Sequence, residues 1–177
     1  MNKVKVATVW LDGCSGCHMS FLDMDERLVA LAEKIEVVYS PLVDHKEFPE
    51  QVDVAIVEGA VSTDEDLEKI QLIRQRSKLL VSLGDCAITA NVPSMRNPFS
   101  VKDVMERAYM ENATNQWQIP RQMIPKLLDR VRPIQEVVPV DVFIPGCPPS
   151  ADTIHFCLTE LLQGRIPNVA NLTRFGA

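Results

Sequence analysis

Val4-Lys-Val-Ala-Thr-Val-Trp-Leu11 is β-branched and apolar, and it runs straight into the glycine-punctuated stretch Asp12-Gly-Cys-Ser-Gly-Cys17. Phe21, Leu22, Leu28, Val29, Leu31, Ala32 and Ile35 then recur at helical spacing, so the reading is strand, loop, helix. The same alternation continues outward. Glu36 to Tyr39 reads as a short second strand and Val52-Asp-Val-Ala-Ile-Val57 as a buried third one ending at Glu58-Gly59. Thr63 with Asp66 three residues on starts a helix carrying Leu67, Ile70 and Ile73, and Leu79 to Leu83 follows as a strand. Ser100 with Asp103 marks another helix, striped by Val101, Val104, Met105 and Ala108. Val137 to Ile144 reads as the last strand, and Ser150 opens a final helix that Gly164 stops. Residues 111–136 hold Pro120, Pro125 and Pro133 and read as loop with one short helix at most. Strands alternating with helices predict an α/β protein, a doubly wound parallel sheet with helices on both faces.

The rest of the composition narrows the partners. The 177 residues are 46% apolar and 24% charged with a net charge of -6, the signature of a folded globular chain read as one domain over 1–177. No lysine or arginine block is present, which argues against a nucleic-acid partner. Apolar runs fall short of the roughly 20 residues that span a bilayer, and the N-terminus carries no export signal, so the expected place is the cytoplasm. Five cysteines in a reducing compartment read as metal-binding or catalytic rather than as disulfides.

In an open α/β sheet, ligands sit beyond the carboxyl ends of the strands. Cys14 and Cys17 follow the first predicted strand, Cys86 follows the Leu79–Leu83 strand and Cys147 follows the last, so all four fall on that edge; Cys157 lies inside the final helix. Gly13, Gly16, Gly84 and Gly146 each lie within two residues of one of the four. Glycine lets a backbone turn tightly and aim N–H groups inward, which suits the negative charge on the sulfurs of an iron-sulfur cluster. The Cys147-Pro148 step points the same way. Three readings stand: small buried hydrophobes, a structural zinc on four cysteines, and a 4Fe–4S cluster on four thiolates. The clustering on one edge disfavours the first. The single, widely dispersed Cys86 and Cys147 disfavour the zinc, whose sites pair two short knuckles, and the cluster is preferred.

Trp10-Leu-Asp-Gly-Cys-Ser-Gly-Cys17, Val57-Glu-Gly-Ala-Val61, Leu83-Gly-Asp-Cys-Ala87 and Ile144-Pro-Gly-Cys-Pro-Pro149 resemble the cluster motifs of nickel-iron hydrogenase small subunits, in order and across essentially the whole chain. The chain is most similar to the cytoplasmic, bidirectional NAD-reducing (Hox-type) group, to which Asn91-Val-Pro-Ser-Met-Arg-Asn97 is also similar. That resemblance implies a flavodoxin-like fold and one 4Fe–4S cluster on Cys14, Cys17, Cys86 and Cys147. It further implies a large partner subunit with the nickel-iron site, and diaphorase subunits holding FMN and NAD. The chain would then be a subunit of a hydrogen:NAD oxidoreductase whose hydrogen chemistry belongs to its partner. Periplasmic relatives carry an export signal and a cysteine-rich extension that this sequence lacks. The cluster-bearing subunit of respiratory complex I has adjacent cysteines in place of the CxxC pair, and is the alternative within the redox class; a non-enzymatic zinc adapter is the alternative outside it.

The remaining polar residues are less specific. Glu58 ends a strand on the cysteine edge and reads either as a proton-relay or cluster-side group or as a solvated or hydrogen-bonded loop carboxylate. His18 beside Cys17 suits a contact to a ligand or a loop cap. His155 and Cys157 read as packing residues of the last helix, and His45 lies in a polar loop. The loop that binds the FMN phosphate in flavodoxin-like sheets is here the cysteine loop, so FMN on this chain is not expected.

Overall fold

Each strand of the main sheet is a short β-rich run whose alternate side chains enter opposite layers. The computed structural model describes residues 3–115 and 117–172. Its strands are β1 (Val4–Trp10), β2 (Ile35–Tyr39), β3 (Val52–Glu58), β4 (Val61–Thr63), β5 (Ser77–Leu83), β6 (Leu127–Arg132) and β7 (Val142–Ile144). Five of them form a parallel sheet in the order β2-β1-β3-β5-β7, the doubly wound arrangement in which strands are added first to one side of β1 and then, from β3 on, to the other. The helices are α1 (Gly16–Leu22), α2 (Glu26–Leu31), α3 (Asp64–Arg76), α4 (Asp85–Thr89), α5 (Val101–Glu106) and α6 (Ala151–Leu162).

The two layers separate by strand register. Val6, Val54, Ile56, Val81 and Leu83 face one layer with Phe21, Met24, Leu31, Ile154 and Leu158 from the α1, α2 and α6 side. Ala7, Val9, Ala55, Val57 and Leu80 face the other with Ile70 and Ile73 of α3 and Ala87 of α4. Burying each such Ile or Leu is worth roughly 1.5–3 kcal/mol, so α3 is fixed by one stripe of its surface. Its start is fixed by Thr63, whose hydroxyl accepts from Asp66 N–H while the Asp66 carboxylate accepts from Thr63 N–H. Ser100 and Ser150 cap α5 and α6 in the expected positions, and Gly164 follows α6 with φ +74°.

Several expectations are corrected. The helical stripe from Phe21 to Ile35 is two helices, because Asp25 takes φ +49° between them and Ile35 begins β2. Val29 points to solvent, so the stripe overstates the buried face. The last strand is only Val142–Ile144; Pro139 interrupts the run, and Val137 closes a 3-10 turn over Ile134–Glu136 instead. The stripe on α5 is half-buried at Val101, Val104 and Met105 and exposed at Ala108, which lies in the π-helical turn Arg107–Glu111. Residues 111–136 contain β6, which pairs antiparallel with β4 as a second, two-stranded sheet. Three-residue β4 is too short to show a period, and Leu127-Leu-Asp-Arg-Val-Arg132 does not alternate. Among the described residues no helix is long and apolar enough to cross a membrane.

Candidate metal centre

The carboxyl ends of β1, β3, β5 and β7 continue past the sheet as loops that are hydrogen-bonded to one another. Leu11 N–H donates to Glu58 O at 2.9 Å, and Asp12 and Ala60 exchange both backbone bonds at 3.1 and 2.7 Å. On the other side of β3, Gly84 N–H donates to Ile144 O at 2.8 Å and Asp85 N–H to Gly146 O at 2.9 Å. The buried Asp85 carboxylate returns the contact, accepting from Gly146 N–H at 2.8 Å. Ser20 of α1 donates to Pro149 O at 2.6 Å, tying the first loop to the last. The segments bearing Cys14, Cys17, Cys86 and Cys147 are therefore stitched into one rim.

The four thiols share that rim. Cys14 and Cys147 are exposed; Cys17 and Cys86 are half-buried. Gly84, at φ +81°, allows the tightest approach: a Cβ there would stand 2.2 Å from Cys17 Sγ. Burial pushes the Cys17 thiol well above its ordinary range, and Glu58, Cys86, Cys14 and Cys147 each add to the rise. Burial raises Cys86 as well, against the lowering effect of the Val92 backbone, with Cys147, Cys14 and Glu58 adding further. Cys17 thus feels the other three thiols, and Cys86 feels Cys147 and Cys14. Among the described residues, however, no three Cys, His, Asp or Glu side chains stand close enough to hold a single metal ion. Four thiols carried beyond three strand ends, two of them singly, suit a 4Fe–4S cluster, which takes dispersed ligands, better than a structural zinc, whose sites pair two short knuckles. A zinc site on this donor set is accordingly disfavoured.

The other expected residues divide. Glu58 is only 2% exposed at the end of β3 and faces the thiols electrostatically, so it is not a solvated loop carboxylate. Its Oε2 accepts from His18 N–H at 2.7 Å, binding β3 to the first turn of α1. His18 Nδ1 lies 2.9 Å from the same oxygen but out of line for a hydrogen bond, and neither ring nitrogen has an in-line partner. The His18 ring packs edge-on to Trp10 with centroids 5.5 Å apart. Cys157 is fully buried in the α6 layer, where burial raises its thiol to about 12, and it stands apart from the rim. His155 is half-buried on α6 and His45 exposed in the loop after β2. Asp85 and Asn91 had no assigned role in the sequence. An acid following a glycine at a strand end, one residue before a cysteine, is the signal that marks Asp85; nothing local marks Asn91, whose amide Nδ2 lies 3.6 Å from Cys147 Sγ.

The whole chain is similar to proteins of known activity. Residues 14–161 match the family described as NADH ubiquinone oxidoreductase, 20 Kd subunit. The chain is 45% identical over 172 residues to the NAD-reducing hydrogenase HoxS subunit delta of Cupriavidus necator, covering 93% of this chain and 81% of that one. It is 38% identical over 168 residues to a subunit of the F420-non-reducing hydrogenase vhu of Methanocaldococcus jannaschii, covering 94% of this chain and 58% of that longer one. A solved NAD+-reducing NiFe hydrogenase in the H2-reduced state contains a chain that superposes with a TM-score of 0.94 at 39% identity, covering 98% of this chain and 99% of that one. By the family match and by near full-length identity alike, the chain belongs to the NADH ubiquinone oxidoreductase 20 Kd subunit family, in the branch of the NAD-reducing hydrogenase delta subunit.

Proposed function

We propose that this chain is the electron-transfer small subunit of an NAD-reducing nickel-iron hydrogenase, a single domain over residues 1–177 that works in the cytoplasm. Cys14, Cys17, Cys86 and Cys147 hold one 4Fe–4S cluster. The nickel-iron site belongs to the large subunit, and FMN and NAD to the diaphorase subunits. The observation that carries this reading is the meeting of four thiols, from the ends of three strands, on one stitched rim. The relatives' membership of NAD-reducing hydrogenases supports the choice of partner.

A bound iron-sulfur cluster supplies one-electron exchange without proton chemistry of its own. What the chain contributes is placement. The half-buried Cys17 and Cys86 exclude water on the inner side, while Asp85 fixes the two loops carrying Cys86 and Cys147 against each other. The outer side stays open at Cys14 and Cys147. Met19, Val92 and Met95, exposed in the segments that follow Cys17 and Cys86, provide apolar surface beside that opening for a partner subunit to cover.

Iron and acid-labile sulfide measured on the anaerobically purified complex test the ligand set. Alanine at Cys14, Cys17, Cys86 or Cys147 in turn is expected to lose the metal, and Cys157→Ala to retain it. Full iron retention in Cys86→Ala, or zinc without sulfide in the native complex, overturns the reading. In an assembled complex carrying Cys147→Ala, hydrogen-driven NAD reduction falls to background while NADH-driven dye reduction persists. Survival of the coupled reaction in a complex shown to lack this metal refutes the relay.

A further inference from the structure

The segment after α4 bends back over the rim. Ala90 takes the left-handed conformation, φ +58°, an arrangement that costs a non-glycine residue about 1–2 kcal/mol, and it is buried against Ala60 and Val131. The turn it makes sends the next two residues toward the cysteines. Asn91 Nδ2 reaches Cys147 Sγ at 3.6 Å, and the Val92 backbone stands near enough to Cys86 to lower its thiol. Two neighbouring residues thus come up to cysteines from two different loops.

The residues behind this turn hold it in place. Ser94 Oγ donates to Asn91 O at 2.8 Å, and Pro93 opens the 3-10 helix Pro93–Arg96. Arg96 Nη2 donates to Ser62 O at 3.1 Å and Leu128 O at 2.8 Å, one carbonyl on each strand of the two-stranded sheet. Asn97 exchanges two bonds with Val131 of β6, donating to its carbonyl at 3.0 Å and accepting from its N–H at 2.8 Å. Every polar side chain of Asn91-Val-Pro-Ser-Met-Arg-Asn97 is engaged, those after Asn91 in anchoring the turn and Asn91 itself with a cysteine sulfur.

We propose that Asn91 sets the reduction potential of the cluster, with residues 90–97 acting as an arm braced on the β4–β6 sheet that holds its amide against the Cys147 sulfur. The proposal rests on the reading of the four cysteines as cluster ligands. Reduction adds one negative charge, much of it borne by sulfur, and an N–H directed at a ligating sulfur stabilises that charge. Asn91 therefore raises the potential, and removing its amide lowers it. Asn91 is a positioning and tuning residue; it touches a ligand sulfur and takes no part in hydrogen or nicotinamide chemistry.

The test is an EPR-monitored redox titration of the assembled, anaerobically purified complex, following the signal that Cys147→Ala abolishes. Asn91→Ala removes the amide, and Asn91→Leu removes it while keeping the side-chain volume. Both are expected to shift the midpoint to lower potential. At the native midpoint the reduced-to-oxidised ratio falls several-fold, a tenfold fall corresponding to about 59 mV for one electron. With asparagine labelled at the amide nitrogen by 15N, pulsed EPR of the reduced native complex shows a nitrogen coupling that Asn91→Leu eliminates. A midpoint in both variants equal to the native one, or higher, overturns the proposal. Loss of iron from both variants also overturns it, since Asn91 would then be needed to hold the metal. If the native complex gives no signal dependent on Cys147, the cluster reading itself falls and takes this one with it.

Discussion

The five-stranded sheet is held by the side chains it buries, and the two-stranded sheet by side chains that reach it from outside. Ala7, Val9, Ala55, Val57 and Leu80 pack β1, β3 and β5 against α3 with essentially no solvent contact. Of β4 and β6, only Val61, Ser62 and Val131 are buried, and the pairing has a register irregularity between Val61 and Thr63. What fixes it is polar: Arg96 on Ser62 O and Leu128 O, Asn97 on Val131, and Asp64 with Lys126, which exchange a backbone bond at 3.0 Å and a carboxylate bond at 2.9 Å. The large sheet is a hydrophobic structure that carries the cysteines at its rim. The small one is a hydrogen-bonded brace for the turn that bends over them.

That contrast is open to breakage at several points. The largest effect is expected at Gly84, where the new Cβ of Gly84→Ala would overlap Cys17 Sγ at 2.2 Å in a left-handed backbone. Iron and sulfide content fall to background, while the circular dichroism of the hydrophobic sheet is retained. A fully loaded variant would show that the rim yields more than its stitching implies. Asp85→Ala comes next: it leaves the Gly146 N–H without its acceptor in a buried place, which costs about 1–3 kcal/mol and is read from the denaturant midpoint. Asp85→Asn, which retains an acceptor oxygen, recovers most of the loss.

The small sheet is expected to fail separately. Arg96→Ala removes two hydrogen bonds from a charged donor, worth roughly 1.5 kcal/mol or more together, so amides of β6 exchange about tenfold faster while those of β1 and β3 keep their protection. Equal acceleration in both sheets would mean that they open as one unit. The smallest effect lies at the opposite edge. The Lys78 ammonium and the Lys5 N–H hold the Asp53 carboxyl below its usual range. A carboxyl lowered in the folded state contributes stability above its unfolded pKa and loses it as pH falls through the folded one. Asp53→Asn should therefore flatten the acid limb of stability against pH below about 4 by a few tenths of a kcal/mol, the pair being partly exposed. No change in that limb would leave the acid sensitivity to other groups.

The same contrast explains which parts of the molecule were legible in the sequence. β1, β3 and β5 follow from their apolar runs because burial on both faces needs little besides hydrophobic side chains, and the helix starts at Thr63, Ser100 and Ser150 follow from capping chemistry confined to four residues. β4 and β6 do not follow, because the groups that secure them lie about 30 residues away along the chain. The break at Asp25 is likewise invisible to a periodicity that continues across it. At the rim, the cysteines could be placed from the ends of strands alone. Glu58 could be placed but not interpreted, since its hydrogen bond to His18 N–H requires the fold. Asn91 was visible only as part of a familiar stretch, because its partner sulfur is 56 positions away.

Because β7 pairs with β5 and carries Cys147 just beyond its end, the rim exists only once the last strand has docked. On the ribosome, Cys14 and Cys17 emerge about 130 residues before Cys147, an interval on the order of 10 s at ordinary synthesis rates. Throughout that time the first two thiols stand in a growing chain with no Gly146 N–H for Asp85 and no Ile144 carbonyl for Gly84. The cysteine rim thus forms only late: a chain ending before residue 142 has most of the hydrophobic layers and three of the four thiols, and lacks the strand that brings them into one place.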